Sequence, residues 1–84
     1  GGEEFLVICP ETDLHHARLL AERLRILIME AYERRKPIVT ASFGVATSEE
    51  TQKLDTVITL ADDRLYQAKD LGRNRVVAGE LTGP

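Results

Sequence analysis

The sequence predicts a small α/β domain in strand-helix-strand-helix-strand order, and three observations carry that expectation. Phe5 to Cys9 is an unbroken apolar run, and Ile38 to Ala46 is rich in β-branched and aromatic residues, the composition of strands. Each run is followed by a longer segment whose apolar residues recur at spacings of three and four, as on an amphipathic helix. The chain has 84 residues, enough for one small domain or one piece of a larger one.

Pro10 ends the first strand, and Thr12 or Asp13 can cap the helix that follows by accepting a bond from a free N–H of its first turn. That helix is expected to run to about Arg35. Ala17, Leu20, Leu24, Leu27 and Ala31 form its core-facing stripe, with Arg18, Glu22, Arg25 and Glu33 off it. Arg34-Arg35-Lys36 places cations at its end, and Pro37 disfavours helical geometry just before it. In the second strand Val39, Ala41, Phe43 and Val45 alternate onto one face. Thr47 to Lys53 reads as a loop, and Leu54, Val57, Ile58, Ala61, Leu65 and Ala68 mark the second helix, which Gly72 ends in a left-handed cap. Arg75 to Ala78 makes a short last strand, and residues 80–84 form a tail.

Eleven basic residues stand against 14 acidic ones, a formal net charge of −3. Such a balance opposes nonspecific attraction to nucleic acid or anionic membranes, so any phosphate contact must be local. Uninterrupted apolar stretches such as Ile26 to Met29 and Phe5 to Cys9 are far short of the roughly 20 residues a bilayer requires, and no membrane contact by this segment is expected. The single cysteine, Cys9, cannot form an intramolecular disulfide, and no Cys/His set has zinc-site spacing, so a reducing cytoplasm fits best. Cys9 reads as a small core residue. His15 and His16 are adjacent on a helix, where neighbours diverge, and read as solvated first-turn residues rather than a metal pair. Ser42 lacks the context of a nucleophile and reads as strand filler.

Two clusters could carry chemistry. Gly1-Gly2-Glu3-Glu4-Phe5 puts glycines, which let a backbone approach a nucleotide closely, before two carboxylates, which are hard ligands for magnesium. A turn with two solvated acids is the plain alternative. Lys69 and Arg73 are four apart where the second helix ends, so they can project from one side and hold phosphates together. Helix-terminal cations offsetting the macrodipole are the alternative there.

Both clusters occur in order, with Ser42-Phe43-Gly44-Val45-Ala46 between them and Tyr66-Gln67-Ala68-Lys69 leading to Gly72-Arg73-Asn74. In this combination residues 1–79 resemble the C-terminal half of a GGDEF domain, the diguanylate cyclase family. The resemblance implies an α/β fold like the α+β palm of nucleotide cyclases. It implies an enzyme that joins two GTP into cyclic di-GMP and pyrophosphate with Mg2+ or Mn2+, two domains facing each other as a homodimer. By position, Glu3 and Glu4 would be catalytic and metal-ligating, while Gly1, Gly2, Lys69 and Arg73 would bind substrate, the last two at the terminal phosphates. Glu3 replaces the Asp of the family name and keeps the carboxylate. Arg64 stands where small residues are frequent and is expected on the surface.

A full domain of this family also has an earlier strand with a metal-binding aspartate, and helices with guanine contacts. Half an active site is therefore expected, within a cytoplasmic part of a parent that can itself be membrane-anchored, and the isolated chain is expected to be inactive. The same resemblance places the missing strand antiparallel between the two long strands, leaving a slot that the two strands could close by pairing directly or that a second copy could fill, the second being the expectation. The rival readings are a silent module binding GTP or cyclic di-GMP, and a self-associating structural piece.

Overall fold

The computed structural model describes residues 2–34, 39–51 and 53–79. Five elements follow in the expected order: β1 (Gly2–Cys9), α1 (Leu14–Tyr32), β2 (Thr40–Thr47), α2 (Leu54–Asp70) and β3 (Val76–Val77). Expectations for Gly1, Arg35-Lys36, the start of the second strand at Ile38, and the tail fall outside the described residues.

Asp13 is the cap of α1, its Oδ1 accepting the His16 N–H at 2.8 Å. That backbone bond, together with the His16 ring 2.7 Å from Oδ2, holds the Asp13 carboxyl below its ordinary value. The two histidines are exposed, as expected. α1 ends at Tyr32, ahead of the cationic run. At the other end of the molecule Gly72 has φ of 121°, a left-handed conformation open to glycine at no steric cost, and the Arg73 N–H closes onto the Ala68 carbonyl at 2.9 Å.

The sheet order is β1-β2-β3, with every pairing parallel. β1 pairs β2 directly over eight residues, from Gly2↔Thr40 to Cys9↔Thr47. This corrects the expectation of a slot between them. Direct pairing satisfies N–H and C=O groups that a gap would leave open on both strands. It also stacks Phe5 on its cross-strand partner Phe43, with ring centroids 5.3 Å apart.

The central strand is covered on both faces, as parallel strands usually are. On one face Ala41, Phe43 and Val45 pack with Ala17 and Ala21 of α1, joined by Val7, Cys9, Leu14 and Ile28. On the other, Ala46 packs with Val57 and Ala61 of α2, joined by Ile8 and Leu60. Small residues let α2 come close. A Cβ on Gly44 would lie 2.0 Å from the Ala61 carbonyl oxygen and 2.3 Å from the Leu65 nitrogen, so strand and helix backbones touch there.

The helix stripes need correction. α1 faces the sheet with Leu14, Ala17, Ala21 and Ile28, whereas Leu20, Leu24 and Leu27 are 48%, 38% and 57% exposed. In α2 Leu54 and Ile58 are likewise exposed. With three strands side by side the sheet is narrow, and it covers only part of each helix's apolar arc.

Arg64 is a second correction, because it is buried rather than on the surface. Its Nη1 donates to the Val45 carbonyl at 2.8 Å, and its guanidinium forks onto Glu50 at 3.0 and 2.7 Å. Burial raises the Glu50 carboxyl, but the Arg64 hydrogen bonds, the Thr47 N–H and the Arg64 charge outweigh it and leave the group below its ordinary value. A long cation thus ties the α2 face to the loop after β2.

Candidate functional site

Side chains alternate along β1, and the packing says which way each points. Val7 and Cys9 join the cluster on the α1 face and Ile8 the cluster on the α2 face, so odd positions look toward α1 and even positions toward α2. Glu4 therefore lies on the side where α2 ends. Its Oε1 is 3.3 Å from the Lys69 Nζ and its Oε2 is 3.7 Å from the Arg73 Nη1. Two motifs more than sixty positions apart in sequence thus meet at one corner.

Glu3 does not join them. It is exposed on the opposite face of β1, so the carboxylates expected to act together diverge within this chain. Gly2 opens β1 opposite Thr40, and Gly1 lies outside the described residues.

Beside the corner is an open depression of about 220 Å³ lined by Tyr66, Lys69, Asp70 and Arg73. It is open to solvent, and its two cations give it the means to receive an anionic group. Lys69 and Arg73 outnumber Glu4, and Asp70 balances them at the rim. Exposed ion pairs of this kind contribute about 0–1 kcal/mol each. An incoming phosphate, more highly charged than a carboxylate, can take the two cations from Glu4 at little cost and free that carboxylate.

The donor set suits magnesium only in the way that ion binds nucleotides, through one or two carboxylates with substrate phosphates and water. Among the described residues no group of three His, Cys, Asp or Glu side chains could hold a metal by itself. No helix there is long and apolar enough to cross a membrane.

The turn that carries Arg73 draws on residues the sequence did not single out as functional. Ser42, read as filler, is buried and accepts the Asn74 N–H at 3.1 Å. Arg25, placed off the core stripe, reaches across to donate to Asn74 Oδ1 at 2.9 Å. Ser42 and Asn74 stand inside the recognised motifs, but nothing in the local pattern of α1 marks Arg25.

Comparison with known proteins gives a consistent result. Residues 1–75 match the family model described as diguanylate cyclase, GGDEF domain. The chain is 42% identical over 78 residues to diguanylate cyclase DgcM of Escherichia coli strain K12, covering 93% of this chain and 19% of that protein. It is 45% identical over 83 residues to diguanylate cyclase VdcA of Vibrio cholerae, covering 92% and 24%. It is 43% identical over 83 residues to the response regulator PleD of Caulobacter vibrioides, covering 92% and 18%. The chain thus spans less than a quarter of the length of these relatives. No solved structure matches it.

Proposed function

The chain belongs to the GGDEF diguanylate cyclase family, and from that premise we propose that it is the C-terminal half of a catalytic domain that condenses two GTP into cyclic di-GMP. The observation that carries the reading is the corner where Glu4 meets Lys69 and Arg73. In each half of the reaction the 3′-oxygen of one GTP bonds to the α-phosphorus of the other. The bond to pyrophosphate breaks and the hydroxyl proton passes to a base.

In this reading Lys69 and Arg73 hold the terminal phosphates, Arg as a planar fork and Lys as a point charge. They orient the leaving pyrophosphate and offset its charge. Gly1 and Gly2 let the backbone approach the nucleotide. Glu4, released from the two cations, and Glu3 would hold Mg2+ or Mn2+ and help activate the attacking hydroxyl. The metal, when bound, supplies charge neutralisation at the phosphates.

The chain spans less than a quarter of its relatives' length, and in this reading base recognition and the remaining metal ligation come from elsewhere in a longer protein. Two domains facing each other, one GTP on each, make the working homodimer. The isolated chain is inactive. GTP and the reduced thiol of Cys9 both suit the cytoplasm.

The test is turnover. The longer protein carrying this segment, given GTP and magnesium, is expected to make cyclic di-GMP, and Glu3→Ala or Glu4→Ala is expected to abolish it without unfolding the domain. Turnover within about threefold of wild type in either variant, under ~1 kcal/mol of barrier, would remove that carboxylate from the mechanism. Nucleotide binding by the longer protein without turnover would favour a silent module.

A further inference from the structure

Arg73 lies in a conformation that a side chain rarely adopts, and residues outside the phosphate corner keep it there. Gly72, Arg73 and Asn74 have φ of 121°, 65° and 46°. Glycine takes such values freely and asparagine tolerates them, but for arginine the left-handed region is disfavoured by the clash of Cβ with the backbone. The turn must therefore be held from both sides. On the helix side the Arg73 N–H bonds to the Ala68 carbonyl at 2.9 Å.

On the other side Arg75 Nε donates to the Arg73 carbonyl at 3.1 Å, and the contacts to the rest of the fold that lie nearest Arg73 run through Asn74. Its N–H donates to Ser42 Oγ at 3.1 Å, its Oδ1 accepts from Arg25 Nη1 at 2.9 Å, and its Nδ2 lies 3.8 Å from Met29 Sδ. Arg25 is itself fixed, since its Nε donates to Glu22 Oε1 at 2.8 Å and its Nη2 bonds the same oxygen. Only 17% of its side chain is exposed. Arg25 belongs to α1, which covers the face of the sheet opposite α2, yet its guanidinium reaches the turn that follows α2.

We propose that Arg25 is a positioning residue for the anion corner: acting through Asn74, it locks the left-handed turn that aims the Arg73 guanidinium at a bound triphosphate. The inference rests on the phosphate role of Arg73 argued above and adds to it the residue that makes that role geometrically possible. Arg25 touches no ligand. Its own charge is matched by Glu22, so its effect on an anion is through geometry rather than through field.

The experiment measures binding of inorganic triphosphate with magnesium, and of GMP, to the 84-residue chain by calorimetry, with melting followed in parallel. Arg25→Ala is expected to weaken triphosphate about five- to tenfold, the loss that follows when one charge-assisted contact is misaimed. GMP should stay within about twofold, since only a tail that reaches Arg73 feels the turn. Arg25→Lys, which keeps one donor for Asn74, should recover part of the loss. Asn74→Gly keeps a positive φ without strain and removes only the tether, so it should reproduce the loss even if Arg25→Ala folds poorly. Combining it with Arg25→Ala should add little, because both cut the same link.

Triphosphate affinity unchanged in Arg25→Ala and Asn74→Gly, while Arg73→Ala weakens it, would overturn this inference alone. Equal losses for triphosphate and GMP, tracking the melting temperature, would also overturn it by showing a purely structural role. Triphosphate affinity indifferent to Arg73→Ala itself would overturn the phosphate reading and this inference with it.

Discussion

At the scale of single residues, the ion pairs of this chain fall into two kinds that should respond differently to change. Glu4 with Lys69 and Arg73 is half exposed and loosely set, suited to being exchanged for a ligand. Glu50 with Arg64 is buried on the arginine side and bidentate, suited to holding structure. Removing one member of a buried pair leaves an uncompensated charge and costs about 3–5 kcal/mol, with the one-fifth exposure of Glu50 placing Glu50→Gln toward the lower end. The carboxyl of Glu50 is depressed in the folded chain, so its contribution is fully present above its ordinary value of 4.5 and fades as pH falls through the lower folded value. Denaturation of wild type and Glu50→Gln should therefore differ at pH 7 and converge in strong acid. A difference independent of pH would mean that the Glu50 charge is not what stabilises. The sequence offered Arg64 only as a departure from small residues. Its burial depends on Glu50 and on the Val45 carbonyl, partners far away along the chain that no local pattern reveals.

At the scale of elements, the order of strands and helices was legible because it follows from local periodicity, and so were the left-handed Gly72 and a cap at Thr12 or Asp13, of which the structure uses Asp13. What the periodicity of α1 could not disclose is which part of a broad apolar arc meets the sheet. Ala17 was expected inward and is; Leu14, Ala21 and Ile28, which join it, and the expected Leu20, Leu24 and Leu27 are neighbouring strips of one surface. The small side chains were chosen inward because β2 and its helices approach closely, and that closeness is a tertiary fact. Gly44 is its sharpest expression. Gly44→Ala would drive a methyl into the α2 backbone at Ala61 and Leu65, where no flexible side chain can yield. Overpacking typically costs ~1–3 kcal/mol and occasionally more, and a small domain has little stability to lose. Thermal unfolding is expected to show Gly44→Ala largely unfolded near room temperature. A melting point within a few degrees of wild type would show that α2 can lift off the strand.

At the scale of the whole molecule, the chain closes its own sheet, and the family resemblance alone did not indicate that. The resemblance located the motifs and the corner they build, whereas the direct pairing of β1 with β2 comes from satisfying β1, which has no other partner strand among the described residues, and the edge of β2 that faces away from β3. One edge of β1 stays unpaired among the described residues, and Phe5 and Leu6 beside it are about two-fifths exposed. Hydrogen exchange should find slow amides in β2 where it faces β1 and beside the short β3, as at Phe43, but only alternate β1 amides slow, since those pointing outward have no partner strand among the described residues. Uniform protection of β1 would show that a second copy covers the edge. The central claim concerns the corner where Glu4, Lys69 and Arg73 meet, and a titration of the isotope-labelled chain with GTP and magnesium addresses it most directly. The account predicts amide shifts concentrated at residues 2–5 and 66–74, weakened by Lys69→Ala and Arg73→Ala more for GTP than for GMP, with no cyclic di-GMP formed. Shifts centred elsewhere, or equal losses for both nucleotides in the two variants, would contradict it.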